Sequence, residues 1–160
     1  ESPVPVIGVI EPGARAAISA APHGSIGVIG TAGTIASGAY VRAIHARDPE
    51  ARVVQQACPL LVPLVEEGWF DHPATELVAR EYLAPLMGAG VRALVLGCTH
   101  YPLLKPLLAR VLGDGVALID SAAETARALE KALERAGLRA ARTGADQQGD
   151  VGVGKCHHRV

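Results

Sequence analysis

Short apolar runs alternate along this chain with longer stretches in which apolar residues recur at helical spacing. The runs are rich in Val and Ile and end at Gly, Pro or polar residues, which is typical of buried β-strands. They are VPVIGVI (4–10), SIGVIG (25–30), RVVQQAC (52–58), RALVLGC (92–98) and GVALID (115–120). The helical spacing predicts helices over 14–21, 37–47, 75–87, 102–112 and 122–137.

Strand and helix therefore alternate, and most of the strands are apolar on both faces. This order predicts a doubly wound α/β fold, in which helices cover a parallel sheet of about five strands through right-handed crossovers. Ligands of such sheets bind beyond the carboxyl ends of the strands. The residues directly after each strand are therefore the candidates for function.

The composition of the chain predicts a soluble globular domain that acts on a small molecule. The chain has 160 residues, of which 49% are hydrophobic and 19% charged, enough for one ordinary core. The net charge is −1 and Lys and Arg are scattered, so no nucleic-acid or membrane partner is predicted. Three cysteines, an odd number, indicate free thiols in a reducing compartment, the cytoplasm.

The segment 141–160 departs from the alternating pattern. It is rich in Gly and polar residues without periodicity, which predicts disorder. Its Cys156, His157 and His158 resemble half of a metal site. Structural metal sites need a second pair of ligands at fixed spacing, so we predict no metal here.

The most reactive sequence at a strand end is Cys98-Thr99-His100. A helix predicted to begin near Tyr101 or Pro102 would place unpaired N–H groups close to the sulfur, and these favour a thiolate. Thr99 can donate a hydrogen bond to a carboxylate, and His100 can act as an acid, a base or an orienting partner. The alternative is that Cys98 is a small buried apolar residue.

The loop GTAGT (30–34) also has two interpretations. Its glycines let the backbone approach a ligand, and the N–H groups of the next helical turn, with Thr31 and Thr34 beside them, can hold a phosphate or carboxylate. The alternative is a tight turn capped by a Thr. The loop lacks the Lys of a P-loop and the third Gly of a dinucleotide fingerprint, so it does not favour a nucleotide.

The segment ACPLLVPLVEEG (57–68) contains a further thiol and two carboxylates. Glu66 and Glu67 follow an apolar helical turn, and solvation is the usual state of such a pair. Cys58 is followed by a Pro and has no hydroxyl or His beside it, so we assign it a structural role.

Three of these segments, in this order and spacing, resemble the second half of the bacterial glutamate racemases, within the aspartate/glutamate racemase superfamily. They are IGVIGTAGTIASGAY (26–40), ACPLLVPLVEEG (57–68) and LGCTHYPLL (96–104), and GVIEPGARAA (8–17) and ALIDSAAETA (117–126) extend the resemblance over about 4–137. It implies a cofactor-independent racemase that supplies D-glutamate for peptidoglycan, and so for cell-wall biogenesis and cell shape. It also implies two similar α/β domains with the active site between them, commonly in a homodimer.

The resemblance also implies roles for individual residues. Cys98 matches the second catalytic cysteine of the family, Thr99 a substrate-binding Thr, and His100 the assisting His. Glu66 matches the Glu that supports this His. Thr31 and Thr34 match hydroxyls near the substrate carboxylate.

The resemblance divides the chain into a second racemase domain (1–121), a return helix that belongs to the missing first domain (122–140) and the atypical tail (141–160). The family's first half, with the other catalytic cysteine, has no counterpart here. Inverting an α-carbon without a cofactor needs a base on one face and an acid on the other. The chain is therefore predicted to be a partial racemase that is inactive by itself.

Three alternatives stay open at this point. The first is an aspartate or hydantoin racemase, although the His after Cys-Thr and the SGAY segment favour glutamate. The second is a non-catalytic module that binds small carboxylates or phosphates at GTAGT and CTH. The third is a Cys-His hydrolase, which requires a separate His and an acid at triad distance.

Overall fold

The computed structural model describes residues 6–138. Its helices are α1 (Ile10–Ala20), α2 (Ala32–Ser37), α3 (Ala39–His45), α4 (Leu61–Glu66), α5 (Pro73–Gly88), α6 (Lys105–Leu112) and α7 (Ser121–Arg135), with a 3₁₀ turn at Tyr101–Leu104. Its strands are β1 (Ser25–Gly30), β2 (Arg52–Ala57), β3 (Val91–Leu96) and β4 (Ala117–Asp120). Over this part of the chain, no helix has the length and apolar character needed to cross a bilayer.

The strands form one parallel sheet in the order β2-β1-β3-β4. β1 therefore lies beside both β2 and β3, with Gly30 opposite Ala57 and Ile29 opposite Leu96. The parallel sheet and its alternating helices confirm the doubly wound α/β class. The described residues contribute four strands, close to the expected number of about five.

The expected strand that is not observed is the one over the first apolar run, 4–10. Positions 4 and 5 are outside the described residues, but residues 6–9 form no strand and Ile10 begins α1. Val6 is 76% exposed and Val9 53% exposed, so neither side chain is in the core. A strand is stable only when its N–H and C=O groups are paired, and residues 6–9 pair with none of the four strands.

Three helices also begin at other places than the apolar spacing indicates. The first, expected over 14–21, begins at Ile10. The expected helix 37–47 is α3 alone, because Gly38 adopts a left-handed conformation (φ 61°) that separates it from α2. The expected helix 102–112 starts as a 3₁₀ turn and becomes α-helical only at Lys105. Pro106 has no N–H to bond the carbonyl four residues earlier, and it lies in the first turn of α6, where that loss costs little.

Buried side chains in the described part pack against both faces of the sheet. On one face α4, α5 and α6 contribute Leu61, Leu83, Leu86, Leu107 and Leu108, with Leu94 and Leu96 from β3. On the other face α1 and α3 contribute Ala14, Ala17, Tyr40 and Ile44, which pack on Ile26, Val28, Ala93 and Val95. Coverage on both faces explains why these strands are apolar at successive positions.

Candidate active site

The segments after β1 and β3 lie side by side at the carboxyl edge of the sheet. The Gly97 N–H donates a hydrogen bond to the Ile29 carbonyl at 2.8 Å. A Cβ built on Gly97 would lie 3.5 Å from Cγ2 of Thr34, so the GTAGT loop and the segment that carries Cys98 are close neighbours. Cys58 follows β2 at the same edge. The structure therefore places the predicted residues after three strands along one edge.

The two threonines of GTAGT contact each other. Thr31 is the N-cap of α2, and its Oγ1 accepts a hydrogen bond from the Thr34 N–H at 3.3 Å. The two hydroxyl oxygens are 3.1 Å apart. Thr31 therefore caps a helix, as the structural alternative predicted, and the half-buried Thr31 and Thr34 lie after β1 at the same sheet edge as Cys98.

Cys98, His100 and Glu66 form a contiguous chain of side chains. The Cys98 Sγ lies 3.7 Å from His100 Nδ1, and His100 Nε2 lies 3.3 Å from Glu66 Oε1. The His100 side chain is 34% exposed and that of Glu66 61% exposed. The proximity of His100 and Glu66 agrees with the expectation from sequence. A thiol beside an imidazole whose other nitrogen contacts a carboxylate is an arrangement suited to proton transfer.

The helix after Cys98 begins later than predicted. The backbone after Cys98 enters a 3₁₀ turn of four residues, and α6 begins only at Lys105. An α-helix with its N-terminus at the sulfur is therefore absent. In the structure His100 is the group placed to act on the Cys98 thiol.

Tyr101, which follows His100 in the chain, and Cys58 are both buried, and a hydrogen bond joins them. The Tyr101 side chain is fully buried and its hydroxyl donates to the Cys58 carbonyl at 2.8 Å. Burial raises the pKa of the Tyr101 hydroxyl, so it remains a donor. Cys58 is also fully buried, and burial raises the pKa of its thiol to about 12. This environment supports the structural role assigned to Cys58.

A shallow cavity of about 80 Å³ lies beside the thiol. Cys98 and the exposed Thr99 form one side of it. Tyr40 and Ser121 line it as well, and their hydroxyl oxygens are 2.8 Å apart. The sequence pointed to Ser121 only as a strand-end residue, and Tyr40 only as part of the SGAY motif. Nothing in the sequence indicates the contact, because the two residues are 81 positions apart.

Asp120, a strand-end residue like Ser121, directly precedes the cavity-lining Ser121 and Ala122. Its carboxylate accepts hydrogen bonds from the N–H groups of Ala122 and Ala123 at 3.0 and 3.1 Å, and from Lys105 Nζ at 2.7 Å. Burial alone would raise the pKa of the Asp120 carboxyl, but the bonds from Lys105 and the backbone outweigh it and lower the pKa. An ionised Asp120 therefore caps α7 at the edge of the cavity.

Over residues 6–138, no three His, Cys, Asp or Glu side chains are grouped in a way that could hold a metal ion. Cys156, His157 and His158, the other candidates, lie outside the described residues.

The sequence and the fold both match known racemases. The family model for Asp/Glu/Hydantoin racemase matches residues 1–129. A glutamate racemase from Geobacter metallireducens is 56% identical over 130 residues, which are 81% of this chain and 48% of that protein. The chain thus spans about half the length of the curated relatives it matches.

Solved structures agree. A glutamate racemase isoform from Bacillus anthracis has a TM-score of 0.81 at 44% identity, with 86% of this chain and 52% of that chain covered. The Francisella tularensis glutamate racemase, solved in complex with D-glutamate, has a TM-score of 0.80 at 36% identity, with 89% and 52% covered. With the family model over most of its length and these relatives, the chain belongs to the Asp/Glu/hydantoin racemase family.

Proposed function

We propose that this chain forms one half of the active site of a cofactor-independent glutamate racemase, which interconverts L- and D-glutamate for peptidoglycan synthesis. The observation that carries the proposal is the contact chain from Cys98 through His100 to Glu66, beside Thr31 and Thr34. Glutamate is favoured as substrate because relatives above 50% identity are glutamate racemases. A solved glutamate racemase that is 36% identical to this chain is a complex with D-glutamate.

In this proposal Cys98 transfers the proton on one face of the substrate α-carbon. As thiolate it removes the α-proton, and as thiol it returns a proton in the reverse direction. His100, 3.7 Å from the sulfur, assists the thiol, and Glu66 fixes the orientation of the imidazole. The hydroxyls of Thr31, Thr34 and Thr99 donate hydrogen bonds to the substrate carboxylates.

The reaction needs a second proton-transfer group on the opposite face of the α-carbon. In the described part of the chain, the other thiol is Cys58, which is fully buried and lies on the same sheet edge. It would approach the substrate from nearly the same side as Cys98. We therefore propose that the opposing thiol belongs to a first α/β domain.

The same proposal assigns domains to the chain. Residues 1–121 form the second racemase domain, and the return segment 122–140, whose described residues include most of α7, belongs structurally to the first domain. The observed α7 supports this assignment, because Ser121 is its one buried residue over Ser121–Arg135. The tail 141–160 lies outside the described residues. We further place the enzyme in the cytoplasm, where its thiols stay reduced, and expect a homodimer of the intact protein.

Racemisation assays test the proposal directly. The purified chain is incubated with L- or D-glutamate and the change in circular dichroism is followed, first alone and then with a separately expressed first half of a related racemase. A single lost acid or base typically reduces a rate by about 10²–10⁴, so the chain alone should be inactive and the mixture active.

Two variants make this assay specific. Cys98→Ser should abolish the activity of the mixture, whereas Cys58→Ala, at a thiol that does not face substrate, should retain it. Parallel assays with aspartate and a hydantoin test the substrate. Activity of the chain alone that disappears in Cys98→Ser would refute the requirement for two domains, and turnover of aspartate alone would refute glutamate as the substrate.

A further inference from the structure

Tyr40 is a buried residue of α3 whose two ends contact two different parts of the site. It is 2% exposed, and its hydroxyl and the Ser121 hydroxyl are 2.8 Å apart. Burial raises the pKa of Tyr40, although the bond to Ser121 opposes the shift, so the hydroxyl stays protonated. A buried hydroxyl needs such a partner, whereas a Phe would fill the same volume without one.

The Tyr40 ring packs against the backbone that leads into Cys98. A Cβ built on Gly97 would lie 3.1 Å from Cε2 of Tyr40, and one on Gly13 would lie 3.4 Å from its Cε1. These separations leave almost no room for a side chain at either glycine. Tyr40 therefore directly supports Gly97, the residue before Cys98, while its hydroxyl holds Ser121, the first residue of α7.

We propose that Tyr40 is a positioning residue of the Cys98 site, whose ring holds the Gly97-Cys98 backbone in place and whose hydroxyl fixes the start of α7 to the same point. This inference rests on the proposed function, since the position of the Cys98 thiol matters only if the thiol transfers a proton. Tyr40 acts through Gly97 and Ser121 and takes no part in the chemistry itself.

The position of Cys98 is sensitive to this support because of its distance to His100. The Sγ to Nδ1 separation is 3.7 Å, already long for a hydrogen bond to sulfur. A displacement of about 1 Å in a reacting group can cost about 10² in rate. Loss of the ring beneath Gly97 would therefore uncouple the thiol from the imidazole.

The test measures that coupling in the full chain. Cys98 is alkylated with iodoacetamide, its labelling rate is followed by peptide mass spectrometry, and the effect of His100→Ala is determined in each background. In the unaltered chain we expect His100→Ala to change the rate by about tenfold, within the range for contacting residues, and in Tyr40→Leu by less than about twofold. Tyr40→Phe keeps the ring, so in this background His100→Ala should again change the Cys98 labelling rate by about tenfold.

The hydroxyl is tested separately, by amide hydrogen exchange at the start of α7. Tyr40→Phe and Ser121→Ala should both speed exchange at residues 122–125, because each removes one partner of the same bond. The matched control is Thr75→Val, which removes another buried hydroxyl, bonded to the Trp69 carbonyl at 2.8 Å on α5. Thr75→Val should change neither the effect of His100→Ala on Cys98 labelling nor the amide exchange at residues 122–125.

Each outcome decides the proposal. A folded Tyr40→Leu that keeps the full effect of His100→Ala overturns it. If Tyr40→Leu does not fold, Gly97→Ala takes its place, because its Cβ would lie 2.8 Å from the Ile29 carbonyl and 3.1 Å from Tyr40, and an unchanged effect there overturns the proposal equally.

Failure of the proposed function gives a different result. In that case His100→Ala leaves the Cys98 labelling rate of the unaltered chain unchanged. Tyr40 is then judged by the labelling rate itself, which Tyr40→Leu should change by at least about threefold and Thr75→Val should not. Equal rates in both variants would overturn the role of Tyr40.

Discussion

Glu66 is the side chain whose role depends most on a single contact. Its Oε1 lies 3.3 Å from His100 Nε2 although the side chain is 61% exposed. Glu66→Gln removes the charge that orients the imidazole toward Cys98, and we expect the iodoacetamide labelling rate of Cys98 to fall by about threefold, a modest effect because exposed ion pairs are weak. Peptide mass spectrometry of the labelled chain measures this rate.

Glu67 provides the matched control for this prediction. It is the next residue along the chain and is exposed, but the contact to His100 comes from Glu66. Glu67→Gln should therefore leave the Cys98 labelling rate unchanged. Equal Cys98 labelling rates in Glu66→Gln and Glu67→Gln would show that Glu66 has no role in the site.

Cys58 makes a different prediction, about stability at alkaline pH. Its pKa rises from the ordinary 9.0 to about 12 on burial, so the unfolded chain releases the thiol proton at a lower pH than the folded chain. The stabilisation that comes from the raised pKa of the Cys58 thiol is complete below pH 9.0 and is lost as the pH rises toward 12. The free energy of unfolding should fall by up to about 1.4 kcal/mol per pH unit above that point.

Urea denaturation at pH 8, 9 and 10 measures this slope, to which the buried Tyr40 and Tyr101, with ordinary pKa values of 10.0, add in the same direction as the pH approaches 10. Cys58→Ala should make the slope between pH 9 and 10 shallower. Val65→Ala, which shortens a buried side chain of the same cluster without removing a titratable group, serves as the control and should keep the slope. A Cys58→Ala chain with the unaltered slope would contradict the prediction.

At the level of helices and strands, α7 depends on its N-terminal residue. Asp120 caps the helix through the N–H groups of Ala122 and Ala123 and is paired with Lys105. We expect Asp120→Ala to lower the free energy of unfolding by about 1–2 kcal/mol at pH 7. Because the pKa of Asp120 is lowered, its contribution is present above the ordinary value of 3.8 and is lost as the pH falls through the lowered pKa.

Urea denaturation between pH 7 and pH 3 measures both effects. Asp114, an exposed residue in the turn before β4, supplies the control, and Asp114→Ala should change stability little. Asp120→Asn keeps an acceptor for the cap but loses the charge, so its stability should depend less on acid pH than that of the unaltered chain. Equal stability of Asp120→Ala and Asp114→Ala would show that the cap is unimportant.

Across the described molecule, burial is distributed unevenly. Five of the six residues of β3 are buried, whereas Ser121 is the one buried residue of α7 over Ser121–Arg135. Amides of β1 and β3 should therefore exchange hydrogen slowest, and those in the C-terminal half of α7 fastest among the longer helices α1, α5, α6 and α7, because local opening costs least where few apolar contacts break.

Hydrogen exchange followed by mass spectrometry tests this ranking. Addition of a separately expressed first racemase half should slow exchange in α7 and leave β3 unchanged, if α7 packs on that domain. Protection of α7 as strong as that of β3 in the isolated chain would contradict its proposed assignment to a first racemase domain. The roles of 1–121 and 122–140 would then need to be reassigned.

Much of the candidate site follows from the sequence because strand ends are local features. An apolar, β-branched run marks each observed strand, and parallel strands bring their carboxyl ends to one edge, so Thr31, Thr34 and Cys98 were predicted at the same edge. The contact of Glu66 with His100 was expected from the resemblance. Its distance, like that from His100 to Cys98, is known only from the folded chain.

The sequence by itself determined the α/β class, the carboxyl-edge location of the thiol and the family, because periodicity and short motifs record burial and chemistry residue by residue. Tertiary structure alone decided that 6–9 form no strand, that the segment after Cys98 begins as a 3₁₀ turn, and that Tyr40 meets Ser121. These features depend on which groups become neighbours across the fold. A local pattern carries no record of a partner 81 residues away.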